Sequence, residues 1–104
     1  MNKYTELSDF EINKKVAEYL KLNTIAYERT EIVLFDDMDA TPFDPCNNPA
    51  DAMPIIIENK IGLVPQVSGN LWICSYYPFY VTTNNPGRAA MEVLLMMKDA
   101  ENEG

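Results

Sequence analysis

The chain contains no histidine. That absence removes the side chain that most often serves as a general base near neutral pH, and with it the commonest metal ligand. Cysteine is scarce as well: Cys46 and Cys74 are the two thiols. They make neither a metal quartet nor a disulfide framework, and with no export signal both are expected to stay reduced. Eight basic residues stand against sixteen acidic ones, a net charge of −8. This argues against non-specific binding to nucleic acid or to an anionic membrane, since each needs a positive field. No apolar run reaches the roughly 18 residues of a membrane span, and MNKYTELSDFE lacks a signal peptide's hydrophobic stretch. A cytoplasmic location is expected. The chain has four glycines and no glycine-rich phosphate loop.

What remains is an ordinary composition for a folded chain, 47% hydrophobic and 23% charged. At 104 residues a single domain over 1–104 is expected, and a globular chain of this size buries roughly two-thirds of its unfolded surface. The acidic balance suits either a basic partner or simply a soluble surface.

The organising stretch is FDPCNNPADAMPIII, residues 43–57. Asn48 reads as an N-cap and Pro49 as the first helical residue, where its missing amide costs nothing. Asp51 can reach back toward the cap and complements the positive end of the helix dipole. Pro54 leaves two arrangements open: one kinked helix from 49 to about 61, or a single turn at 49–52 followed by a helix from 54. In both, Ile55, Ile56 and Ile57 are mostly buried and Gly62 is the stop.

Upstream, Ser8 and Glu11 form a capping box, with Leu7 and Ile12 placed as a hydrophobic staple. A helix over 9–20 follows, with Ile12, Val16, Tyr19 and Leu20 toward the core and Glu11, Asn13, Lys14, Lys15 and Glu18 toward water. Glu31 to Phe35 is β-branched and aromatic and reads as a strand, with 26–29 as a lead-in. Asp36, Asp37, Asp39 and Asp44 lack the spacing of a calcium loop, so a solvated loop is expected there. Residues 63–67 and 71–76 flank Ser68-Gly69-Asn70 as a hairpin, with Pro65 marking an edge. Trp72, Cys74 and Tyr76 share one face, and 80–82 can add a short strand. Asn85 and Pro86 repeat the opening of the central helix. Ala89, Ala90, Val93, Leu94, Met96 and Met97 then give a broad apolar face, so this last helix should be nearly enclosed. Residues 99–104 read as a frayed tail.

The elements follow in the order α-β-α-β-β-α. This is an α+β fold in which a small, mainly antiparallel sheet packs with three helices. LSDFEINKKVAEYL, FDPCNNPADAMPIIIENKIGLV, Trp72 after a glycine turn and NPGRAAMEVLLMM together resemble the NinX family of lambdoid phage proteins. The resemblance implies a small phage protein of α-β-α sandwich type without an assigned biochemical role, working in the host bacterial cytoplasm. It supplies no active site to carry over. Two departures stand out: Met53 where the family often carries a Trp, which removes an aromatic platform, and Gly87 where a bulkier residue is expected, which predicts a loosened first turn in the last helix.

For function, catalysis is the weakest expectation, because neither thiol has a histidine to activate it and Cys74 falls within a strand. No cofactor and no metal is expected. A non-catalytic binding protein fits better. Its acidic surface would meet the basic surface of a host or phage protein. The alternative is a small-anion or nucleotide site at the two Asn-Asn-Pro helix starts, with Asn47, Asn48, Asp51, Asn85 and Arg88 converging and Cys46 and Trp72 beside them. A homodimer through the aromatic run Tyr76-Tyr77-Pro78-Phe79-Tyr80 or the Met-rich last helix is left open.

Overall fold

The first helix starts where its capping residues place it. The computed structural model of the chain describes residues 2–67 and 69–102. In it α1 spans Asp9–Tyr19. The Glu11 amide donates to Ser8 Oγ at 3.1 Å and the Ser8 amide donates back to the Glu11 carboxylate at 3.4 Å. Ile12, Val16 and Ala17 are buried on its inner face. Asn13, expected toward water, is only 5% exposed. It lies on the same side as Phe10 and Ala17 at helical spacing, and its amide is satisfied inside the protein, as a buried polar group must be.

Two antiparallel strands follow, β1 over Thr24–Tyr27 and β2 over Ile32–Phe35, with Tyr27 opposite Ile32 and Thr24 opposite Phe35. The stretch expected as a lead-in therefore gives way to a strand of its own that begins earlier, at Thr24. Residues 41–43 run along the other side of β2: the Phe35 amide donates to the Thr41 carbonyl at 2.9 Å and the Phe43 amide to the Val33 carbonyl at 2.8 Å. Strand alternation turns Ala26 and Val33 inward, with Val33 buried, and leaves Ile25, Tyr27 and Ile32 exposed.

The central helix, α2, is continuous over Pro49–Glu58, with Pro54 inside it. Pro54 and Ala50, the residue four positions earlier, both face solvent. Water can therefore satisfy the carbonyl that the proline leaves without a donor. The helix ends earlier than expected. Asn59 is the C-cap, Lys60 adopts φ 57°, and the Ile61 amide closes on the Ile56 carbonyl at 3.0 Å. The left-handed stop is thus Lys60 and not Gly62, which opens the next strand. Ile55 and Ile56 are buried but Ile57 is 68% exposed, because successive helical residues step by about 100° and three in a row cannot share one face.

The second sheet is β3 (Gly62–Pro65), β4 (Trp72–Tyr76) and β5 (Phe79–Thr83), antiparallel in that order. Pro65 closes β3, an edge strand, and pairs with Trp72. The connection between them runs over 66–71, longer than the three residues expected. Ser68 lies outside the described residues, and Gly69 takes φ 70°, which glycine adopts without strain. Two small sheets thus stand where one was expected, within the same α+β order.

The last helix, α3, spans Pro86–Asn102 and packs against α1, α2, β4 and β5. It continues through residues 99–102 of the expected tail, and Glu103 and Gly104 lie outside the described residues. Met91, Val93 and Leu94 are fully buried, each stabilising the fold by roughly 1.5–3 kcal/mol. Cys74 faces α3 from the middle of the sheet, its Sγ 3.4 Å from the Pro86 carbonyl. The opposite face of that sheet, with Val64 and Tyr80, is open to solvent.

Candidate functional site

In both Asn-Asn-Pro phrases the second asparagine caps its helix through its side-chain oxygen, though to different amides. Asn48 Oδ1 accepts from the Ala50 amide at 3.0 Å, and Asn85 Oδ1 accepts from the Arg88 amide at 3.2 Å. Asp51, on α2, reaches past the cap and accepts from the Asp44 amide at 2.9 Å. This ties the incoming loop to the helix.

The fold brings these two helix starts together. A Cβ placed on Gly87 would lie 2.9 Å from the Pro45 carbonyl oxygen and 3.2 Å from that of Cys46. The first turn of α3 therefore sits directly against the loop that leads into α2. Where the sequence suggested that Gly87 loosens this turn, its missing side chain is what permits the contact. Between the two starts lies a cavity of about 200 Å³, walled by Pro45, Cys46, Ala52, Met53, Ile56 and Leu63, with Asn47 and Asn85 at its edge.

A second cavity of about 260 Å³ adjoins it between α1 and the β2 side of the molecule. Phe10, Ile32, Val33 and Phe43 give its apolar wall, and Asp9, Glu31 and Asp44 bring carboxylates. Asn47 lines both cavities. Its Nδ2 donates to Asp9 Oδ2 at 3.1 Å and to Asp44 Oδ1 at 3.2 Å. From below, Asn13 Nδ2 donates to Asp44 Oδ1 at 2.7 Å, while Asn13 Oδ1 accepts from the Cys46 amide at 3.2 Å. A buried asparagine thus fixes the floor of this polar seam.

The Arg88 side chain makes five hydrogen bonds. Nε donates to Glu92 Oε2 at 2.8 Å and Nη1 to Asp9 Oδ1 at 2.7 Å. Nη2 donates to the carbonyls of Tyr4, Thr5 and Leu7 at 2.9, 3.3 and 2.7 Å. Burial would lower the affinity of the guanidinium for its proton, but the bonds to Glu92 and Asp9 outweigh it and hold the group firmly charged. Arg88 therefore clasps the N-terminal segment between α1 and α3. Glu92 is only 5% exposed, which is tolerable because the arginine is its partner. Among the described residues no cation lies within ion-pair distance of Glu31, Asp44 or Asp51.

Seven residues stood out in the sequence, of which Cys46 forms part of the first cavity's wall. Asn47 and Asn85 share the first cavity, Asn48 and Asp51 serve the α2 cap, and Arg88 turns into the clasp. Trp72 is half-buried at the start of β4, paired with Pro65 and Thr83, and does not line either cavity. The residues that sequence reasoning missed are Asn13, Asp9 and Glu92. Asn13 carried a signal in its place on the apolar stripe of α1. Glu92 carried one as the i+4 partner of Arg88.

Both thiols are buried and free. Burial, with Asp9 beside it, pushes the Cys46 thiol up, and burial alone pushes Cys74 up to about 11. A thiol so placed is a packing group rather than a nucleophile. Among the described residues no group of three or more side chains is arranged to hold a metal ion, and no helix is long and apolar enough to cross a membrane. What this arrangement offers is a shaped, acidic and partly apolar surface.

The family model described as "Bacteriophage P22, NinX" matches residues 3–98. No curated protein and no solved structure matches the chain at a significant level.

Proposed function

We propose that this chain, which belongs to the bacteriophage NinX family, is a non-catalytic phage or prophage accessory protein that meets the basic surface of a host or phage protein in the bacterial cytoplasm. One observation carries this reading: Glu31 and Asp44 line a cavity beside Ile32, which is 42% exposed, with no cation of the described residues against them. Carboxylates left in this state lend themselves to pairing with a partner's basic groups, which sets both specificity and encounter rate. The net charge of −8 draws such a partner and repels nucleic acid.

The small-anion alternative has less in its favour. The Ala50 and Arg88 amides are already taken by the caps, and the Arg88 guanidinium is spent on Asp9, Glu92 and three carbonyls. An anion at these helix ends would meet carboxylates and no available cation.

The test is retention of a host or phage protein from lysate by the tagged chain, before and after infection, at low and high salt. A defined protein retained at low salt and lost as salt rises supports the reading, since screening weakens exposed charge pairs. Retention unchanged by salt, or none at either salt, contradicts it. Protection of the fold against heat by nucleotides or inorganic phosphate would support the alternative instead.

A further inference from the structure

We infer that the two adjoining cavities form one groove for a short extended segment of the partner that carries a lysine or arginine next to a large apolar residue; this rests on the binding reading above. The cavity between α1 and β2 suits the basic side chain. Its wall of Phe10, Ile32 and Phe43 accepts a methylene stem, and the Glu31 carboxylate receives the charged head, with Asp44, whose oxygens already accept from Asn13 and Asn47, adding its negative charge beside it. Asp9 contributes less, because Arg88 already pairs with it at 2.7 Å. A neutral polar side chain would leave Glu31 and Asp44 as they are, and a negative one would be repelled. Charge complementarity therefore selects the cation.

The cavity between the two helix starts suits the apolar neighbour. At about 200 Å³ it falls below the roughly 300–1,000 Å³ of small-molecule sites, and a single large side chain fits that scale. Its wall is apolar, and Met53 at its rim is 40% exposed, a flexible side chain able to adjust to the shape that enters. Asn47 stands between the two halves. Its Nδ2 is held by Asp9 and Asp44, while its Oδ1 accepts no hydrogen bond from the described residues. That oxygen is available to a backbone amide of the segment bridging the cavities.

The experiment uses fluorescein-labelled synthetic peptides with the full chain, read by anisotropy at low salt. One peptide repeats Lys-Leu-Ser, a second has every Leu replaced by Ser, and a third has every Lys replaced by Ser. Two groove variants, Glu31→Lys and Met53→Glu, change exposed positions, and circular dichroism checks that each keeps its fold. A control variant replaces Asp36, Asp37 and Asp39 with Asn, away from the groove. The Lys-Leu-Ser peptide is expected to bind at least tenfold more tightly than the other two. Each groove variant is expected to weaken it about tenfold, which corresponds to about 1.4 kcal/mol, and the control to leave it unchanged. Equal binding of the first two peptides, or weakening by the control and not by the groove variants, overturns the groove while leaving the acidic-surface reading intact. No binding of any peptide also overturns the groove, and the salt-dependent retention above then judges the broader reading on its own.

Discussion

The same tripeptide, Asn-Asn-Pro, opens two helices of this protein, and the two openings have opposite fates. At α2 Asn47, Asn48, Pro49 and Ala50 are all exposed. At α3 the corresponding residues after the first asparagine are half-buried, and the next turn is sealed completely, with Ala89 and Ala90 at 0% exposure. The local chemistry is alike, since each second asparagine caps its helix through its side-chain oxygen, Asn48 toward the amide two residues on and Asn85 toward the amide three residues on. The difference begins one residue after the proline. Ala50 has a side chain and solvent around it, whereas Gly87 has none and approaches the Pro45 carbonyl. Arg88 then anchors the α3 start to three carbonyls and two carboxylates. A capping phrase sets where a helix begins. The residues just inside it decide whether that end is structural or presented.

The largest expected effect breaks the anchored end. Arg88→Met removes the charged partner of a carboxylate whose side chain is 7% exposed and takes a donor from three carbonyls, of which that of Tyr4 keeps the Leu7 amide, at about 3–5 kcal/mol. Urea denaturation is the check, with the midpoint dropping and the slope unchanged. Gly87→Ala comes next. Alanine is the better helix former, yet here its Cβ meets a backbone oxygen, and the loss should be about 1–3 kcal/mol. At the presented end the sign of that exchange reverses. Ala50→Gly should cost at most about 1 kcal/mol, through propensity alone.

The thiols sharpen the contrast between core and surface by pH. Both have raised values when folded, so their contribution is complete below the ordinary thiol value of 9.0 and is lost as pH rises above it. Stability should fall by up to about 1.4 kcal/mol per pH unit for each thiol in that window. Denaturation series for the protein and for a Cys46→Ala, Cys74→Ala variant check this, and the variant's slope should be shallower. The smallest effect is Asn48→Ala, about 1 kcal/mol or less, because water reaches the exposed amides that lose their cap.

How much of this was legible followed from the range of each signal. The Ser8–Glu11 capping box, the Asn-Pro helix starts, the edge position of Pro65 and the enclosed face of α3 all rest on residues within one or two turns of each other. They read correctly. β1 was harder, since TIAY is four residues long with one weak alternation and takes its order from β2. Lys60 stops α2 in a conformation that sequence assigns to glycine, and the next residue, Ile61, is buried in the core. Asn13, Gly87 and Arg88 were misjudged for one shared reason. Asn13 looks like a surface residue, Gly87 like a loosening one and Arg88 like a ligand-binding one until its partner, between 31 and 84 positions away, is in place. The candidate groove belongs to the same class, because its walls come from α1, β2, the loop before α2 and the start of α3.

Native-state hydrogen exchange, resolved by residue, separates the two helix starts most directly. If Gly87 and Arg88 make the α3 end part of the core, the Ala89, Ala90 and Met91 amides should exchange only through global unfolding, while Ala52 and Met53 exchange through smaller local openings. Equal protection at the two ends would contradict the asymmetry, and with it the view that the α2 start is the surface held out for a partner.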